Sequence, residues 1–195
     1  MKERPILFSA PMVRAILDGT KTQTRRVLKL RGGQEIEHSS LFSARDPFAM
    51  VTSPYGTRGD RLWVRETFAP RYFDDGKPGY RADWDGRAAD CVPEPRWKPS
   101  IFMRRHESRI TLEVTGVRVQ RLQAISAEDS LAEGVPRASE CGCEVCRRST
   151  QMCPADASEQ VMAYAGLWDS INGKRARCAW QDNPWVWAVT FRRLP

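Results

Sequence analysis

From Arg109 onward the chain alternates with a period of two: Ile110, Leu112 and Val114 share one side, Thr115-Gly116 interrupts, and Val117 and Val119 resume the pattern. Such a pattern belongs to a strand with one buried face. A glycine where the phase shifts is where a β-bulge bends a sheet toward a barrel. A single strand of this kind cannot bury its face alone, so the chain has to supply partners. Pro5-Ile6-Leu7-Phe8 is a short apolar candidate. Arg61–Phe68, entered through Gly59-Asp60, sets Leu62, Val64 and Glu66 on one face and Trp63, Arg65 and Thr67 on the other. Trp185–Phe191 ends the chain with three aromatics on one face, which reads as core ahead of a base-stacking platform.

Helical signals lie between these strands. Pro11 to Asp18 carries Met12, Val13, Ile16 and Leu17 on one face, with Pro11 in the first turn and Gly19 where a left-handed cap is expected. Ser126 can cap a short helix that has Glu128 and Asp129 in its first turn and stops at Glu133-Gly134. Residues 158–172 place Val161, Tyr164, Ala165, Trp168 and Ile171 on one stripe, with Gly173 as the stop. The order contains no βαβ rhythm, no P-loop and no dinucleotide fingerprint. It predicts an α+β fold: one domain over residues 1–195 built on a small curled, antiparallel or mixed sheet with helices at its ends. Residues 32–59 and 69–99, rich in Gly, Pro and Ser or Asp, read as variable surface loops, with Tyr80–Trp84 as the one stretch of the second that suggests an ordered contact.

After the first helix comes Gly19-Thr20-Lys21-Thr22-Gln23-Thr24-Arg25-Arg26, eight residues with three cations and no acid. It reads as a polar loop, either solvated or forming the floor of a site for an anionic or nucleotide-sized ligand. The charge balance favours the second reading. Net charge is +7, and residues 1–31 hold eight Lys or Arg against two acids, so the field around the loop draws phosphate or RNA. No apolar run is long enough to span a bilayer, and no export signal follows the charged N-terminus, so the expected location is the cytoplasm, away from membranes. Arg65 and Glu66 fit a solvated edge, an ion pair or a place in a ligand site.

Three pieces together resemble the ASCH domain, a PUA-like β-barrel family: Ile16–Arg26 with its G-x-K-T-x-T-x-R spacing, Gly59–Val64, and Ile125–Gly134. The long-looped form is similar to ASCH proteins carried by phages and prophages. The resemblance implies a PUA-like curled barrel with RNA or nucleotide recognition. Some members are amidohydrolases that deacetylate N4-acetylcytidine, and others are similar to ribonucleases. Carried over by motif, the catalytic residues fall on Lys21, Thr24 and Glu133, with Thr22, Arg25, Arg26, Trp63, Arg65 and Glu66 as candidate substrate contacts. A modified nucleoside or nucleotide is then the expected substrate. The alternative is a non-catalytic module that binds RNA or single-stranded DNA. In the hydrolase reading a desolvated Lys21, pressed by Arg25 and Arg26, activates Thr24 or a water, and Glu133 moves a proton to the leaving amine. A nearby Glu133 carboxylate opposes that lysine shift, so the two titrate as a pair.

The compact amidohydrolases lack a cysteine-rich insertion at 135–157. Cys141, Cys143, Cys146 and Cys153 supply four thiols within 13 residues. Free thiols and a redox role are open to such a cluster, but four soft ligands including the Cys143/Cys146 C-x₂-C pair suit a structural tetrahedral Zn²⁺ site best. Catalysis requires no cofactor. Cys91 and Cys178 read as bystanders, and His38 and His106 as surface residues. Elemental analysis of protein purified without added metal should find one zinc per chain, and chelation should loosen residues 135–157 without unfolding the sheet. Four freely titrating thiols in native, metal-free protein would refute the site.

Overall fold

The computed structural model describes residues 1–28, 53–73, 76–84, 95–137 and 154–195. The elements are β1 (Glu3–Leu7), α1 (Ala10–Leu17), β2 (Gln23–Val27), β3 (Arg61–Arg65), β4 (Phe68–Ala69), β5 (Gly79–Tyr80), β6 (Thr111–Arg121), α2 (Ala127–Ala132), α3 (Pro154–Asn172) and β7 (Trp185–Arg193). The fold is α+β, with a mixed five-stranded sheet hydrogen-bonded in the order β1-β3-β6-β7-β2. Among the described residues this ladder is open, with β1 and β2 at its ends, and the closed barrel expected from the sequence is not formed. The chain divides into two compact units: Met1–Thr20, Tyr55–Gly116 and Phe191–Pro195, and then Lys21–Pro54 and Val117–Thr190. No helix among the described residues is long and apolar enough to cross a membrane.

In the first unit β1 lies parallel to β3, with Glu3 opposite Arg61 and Leu7 opposite Arg65, and β3 lies antiparallel to β6, with Leu62 opposite Leu112. The period-two pattern behaves as its residues dictate, since Leu62, Val64, Leu112 and Val114 are all buried while Thr111 and Glu113 between them are not. Beyond Val114 the alternation fails at Thr115-Gly116. The strand nevertheless continues through Gly116 as one element, and the boundary between the units falls there. Helix α1 forms where Pro11 sits in the first turn and ends before Gly19 at φ +76°, burying Val13 and Ile16. Its Arg14 donates to the Ala82 carbonyl at 3.0 Å, which ties it to the 3₁₀ turn Arg81–Asp83 and bears out an ordered contact at Tyr80–Trp84.

In the second unit β2 pairs antiparallel with β7, Thr24 opposite Val189 and Val27 opposite Val186. The polar stretch that reads as a loop is therefore strand from Gln23 onward. The unit's core joins Leu122, Ile125, Val135, Tyr164, Trp168 and Val186, with Val27, Val161 and Trp180 packed against it. The α3 stripe buries Tyr164, Ala165 and Trp168, but Ile171 is 46% exposed and Asn172 takes the buried position at the stripe's end. At 100° per residue the i, i+4 row 164–168–172 continues inward whereas 171 has rotated out. Trp187, in the closing strand, is buried, as is Phe191 in the first unit's part of the same strand.

Helix α2 positions the site described below, and its start is set locally: Ser126 is extended, and its hydroxyl accepts from the Asp129 amide at 3.1 Å. Its end is Gly134 at φ +83°. Ser126→Ala should cost about 1 kcal/mol in urea unfolding, and Ser126→Asn should recover most of it. Equal midpoints for the Ala and Asn variants would show that the cap does not hold this helix.

Candidate functional site

A polar network is buried in the second unit. Lys21 precedes β2 and forms an isolated antiparallel bridge with Glu133, and the Thr22 amide donates to the Ala132 carbonyl at 2.8 Å. The chain entering β2 is thereby laid against the end of α2. Strand alternation from that point sends Gln23 and Arg25 to one face, and helix periodicity sets Asp129 and Glu133 one turn apart to meet them.

The Lys21 ammonium, on a residue only 2% exposed, donates to the Gln23 carbonyl at 2.8 Å, the Glu133 carbonyl at 2.7 Å and Glu133 Oε2 at 2.9 Å. Three donors meet three acceptors. One of them is a carbonyl at the C-terminal end of α2, where helix geometry leaves backbone oxygens without intrahelical partners. The other Glu133 oxygen accepts from Arg25 at 3.0 Å. The same guanidinium reaches Gln23 Oε1 and Asp129 Oδ2, each at 2.5 Å. Gln23 Nε2 donates to Asp129 Oδ1 at 3.1 Å, and Arg118 adds a further hydrogen bond to Asp129. The Tyr164 ring on α3 lies 5.9 Å from the Arg25 guanidinium carbon.

These contacts set the electrostatics. Burial pushes the Lys21 ammonium below the ordinary lysine value, the Glu133 carboxylate resists, and the positive charges of Arg26 and Arg25 push the same way as burial. Burial would raise Asp129, but hydrogen bonds and charge from Arg118 and Arg25 outweigh it and hold the carboxyl below its ordinary value. The Tyr164 phenol is driven well above its ordinary value by burial, and Glu133's negative charge adds to the shift.

Of the residues singled out in the sequence, the structure brings together Lys21, Arg25 and Glu133. Thr24 is buried and pairs with Val189 in the ladder, but strand alternation puts it on the face opposite Gln23 and Arg25, outside the hydrogen bonds that join Lys21 to Glu133. Thr22 is exposed and Arg26 half-buried. Trp63, Arg65 and Glu66 belong to the first unit and make their contacts there. Arg65 donates to the carbonyls of Met103 at 3.0 Å and Ile101 at 2.5 Å and stacks over Trp63 at 5.2 Å. Glu66, at 1% exposure, is gripped in two-point fashion by Arg109 at 3.0 and 3.1 Å, which is the ion-pair reading of that residue.

Cys141, Cys143, Cys146 and Cys153 lie outside the described residues, as do Cys91 and His38; Cys178 is half-buried and His106 exposed. Among the described residues no group of three or more His, Cys, Asp or Glu is placed to hold a metal ion. Gln23, Asp129, Arg118 and Tyr164 belong to the site and were not singled out for it. The four-residue spacing of Asp129 and Glu133 on one helix, and the two-residue spacing of Lys21, Gln23 and Arg25, were the available signals. No protein-family model matches the chain, and no curated protein or solved structure matches it either.

Because Asp129 titrates lower in the folded chain than in the unfolded one, the unfolded state binds the extra proton. Its contribution is therefore present above the ordinary aspartate value of 3.8 and is lost as pH falls through that value toward the folded one. The difference in urea midpoint between wild type and Asp129→Asn should shrink as pH drops below about 4. A difference that stays constant from neutral to acid pH would show that Asp129 is not held as a paired carboxylate.

Proposed function

We propose that this chain is a nucleoside-directed amidohydrolase of PUA-like, ASCH type, acting on N4-acylated cytidine or a related modified nucleoside, with Lys21 and Glu133 as its proton-transfer pair. The observation that carries the proposal is the buried 2.9 Å contact between two ionisable residues 112 positions apart, both in positions matched by the ASCH motifs. Amide hydrolysis needs a group to take the nucleophile's proton and return it to the departing amine. A lysine whose proton is loosened by burial and by neighbouring arginines, and whose partner carboxylate can hold that proton, fits this requirement. Thr24, buried on the other face of β2, lies outside the hydrogen bonds of the pair, so a water is assigned as the nucleophile, and Arg26 is assigned to phosphate. The cysteine cluster is assigned a structural zinc.

A second reading is favoured by the saturation of Lys21. With all three ammonium donors occupied and its side chain 1% exposed, the pair can serve purely to hold the chain before β2 against α2, in a protein that binds nucleic acid without cleaving it. Under that reading Arg25 is no phosphate contact, since its side chain is fully buried and occupied by Gln23, Asp129 and Glu133.

The test is turnover of acylated nucleosides followed by mass spectrometry, with folding checked by urea unfolding on each variant. The burial of Lys21 means that Lys21→Ala removes one of the two cations on the buried Glu133 carboxylate and destabilises the fold by up to about 3–5 kcal/mol, so its inactivity alone proves nothing. Lys21→Arg keeps the charge but cannot deprotonate, and should lose about a hundredfold or more in rate while remaining folded. Glu133→Gln should lose a similar factor. Full activity in folded Lys21→Arg, or no turnover of any acylated nucleoside by wild type, would leave the structural reading in possession.

A further inference from the structure

The first unit contains a cleft that the proposed hydrolase chemistry does not use. It has a volume of about 970 Å³, at the upper end of the roughly 300–1,000 Å³ range of small-molecule sites, and lies between the turn joining β4 to β5 and the segment 98–107. Among the described residues its cations are Arg71, Lys77, Lys98 and Arg104 and its acid is Glu107, and Phe102 stands on its wall with 62% of its surface exposed. Phe73, on the same turn as Arg71 and Lys77, is 54% exposed.

Both walls are anchored. Lys98 bridges to Phe68 of β4 through backbone hydrogen bonds of 2.7 and 3.2 Å. Arg65 holds the carbonyls of Ile101 and Met103, so the turn bearing Phe102 is fixed from beneath. On the other wall, Tyr72 and Phe73 amides donate to the Lys77 carbonyl at 2.9 and 3.2 Å and close the turn. Glu107 keeps its charge and is held locally: its Oε2 accepts from the Arg104 amide at 2.7 Å and its backbone carbonyl accepts from the Tyr80 hydroxyl at 2.8 Å.

Elsewhere in this unit several surface arginines answer to acids, whereas exposed Arg58, Arg96 and Arg193 have no acid partner among the described residues. Arg109 takes Glu66 and Asp83, Arg105 takes Glu3, Arg192 takes Glu113 and Arg4 takes Asp60. Among the described residues, the side chains of Arg71, Lys98 and Arg104 have no such partner. Asp74 and Asp75 fall outside the described residues and do not enter this count.

We propose that this cleft binds single-stranded nucleic acid, with Arg71, Lys98 and Arg104 on the phosphates and Phe102 stacked on a base. Unpaired cations along a groove track a polyanion, and an exposed aromatic on a fixed turn offers a stacking face that every base can use. A small anion would need the cations but not the exposed phenylalanine. A duplex presents no free base face to that ring, so the aromatic and the charges together select a single strand.

The experiment is fluorescence anisotropy of labelled oligothymidylate with the full chain across a salt series. Wild type should bind, more tightly than it binds a duplex of the same length, with affinity falling steeply in salt. Arg71→Gln/Lys98→Gln/Arg104→Gln should lower the salt slope by about two units, since each phosphate contact on a single strand contributes about 0.7. Phe102→Ala should weaken binding about fivefold or more without changing the slope. The charge-matched control Lys174→Gln/Arg175→Gln/Arg177→Gln should keep the wild-type slope.

Equal slope losses in the cleft and control variants would overturn the site. So would equal affinity for duplex and single strand, no binding by wild type, or affinity for inorganic phosphate matching that for the oligonucleotide. The readout involves no turnover, so it succeeds or fails independently of Lys21 and Glu133.

Discussion

The second unit depends on bringing an ammonium and a carboxylate out of water together. Neither Lys21 nor Glu133 tolerates burial alone, and the attraction between them would not by itself repay the loss of hydration. What makes the pair tenable is that every remaining valence is met: two backbone carbonyls complete the ammonium, and Arg25 takes the carboxylate's second oxygen. Arg25 in turn brings in Gln23 and Asp129 through its two terminal nitrogens, while its Nε is buried without a hydrogen-bond partner. The same contacts have a structural result, because they fasten the start of β2 to the last turn of α2 across 112 residues of sequence.

How far the sequence announces this arrangement depends on whether the signal is local. Ser126 and Gly134 bracket α2 because a hydroxyl cap and a left-handed glycine act within a few residues, and the apolar alternation in β3 and β6 likewise reports a buried face directly. The Gln23–Val27 strand was not legible, because both of its faces open with polar residues and a period of two without hydrophobic contrast looks like a loop. Its burial is produced by charges on α2 and by a tyrosine on α3, and pairing across more than 100 residues leaves no mark in a window of ten. Glu66 illustrates the same limit from the other side. Its place on the inward face with Leu62 and Val64 was readable, but its partner Arg109 lies 43 residues away.

Arginine has two distinct uses in this chain, separated by whether acids surround it. Arg109 grips Glu66 and Asp83 and covers the Tyr80 ring at 4.0 Å, which commits four of its N–H donors and one face. Such a guanidinium fixes carboxylates in place and has little left for a ligand. The net charge of +7 shows that many cations cannot be neutralised in this way, and their location therefore carries more information than their number. A surplus held on anchored backbone, beside an exposed aromatic, is a recognition surface, whereas a surplus on long, unsupported side chains is only a contribution to solubility.

Charge counting also explains how a saturated lysine can take part in proton transfer. Lys21, Arg25 and Arg118 face Glu133 and Asp129, so the cluster carries one surplus positive charge. If Lys21 lost its proton to solvent, the Glu133 carboxylate would keep only Arg25 as its cationic partner. If the proton instead passes along the 2.9 Å contact to Glu133, the total charge is unchanged and both groups become neutral. Burial favours release of the lysine's proton, because desolvation penalises the ammonium. The ion pair and the neutral amine–carboxylic acid pair are then two states of one network: the arginines press on the ammonium, while Arg25, hydrogen-bonded to Glu133 Oε1, opposes protonation of the carboxylate.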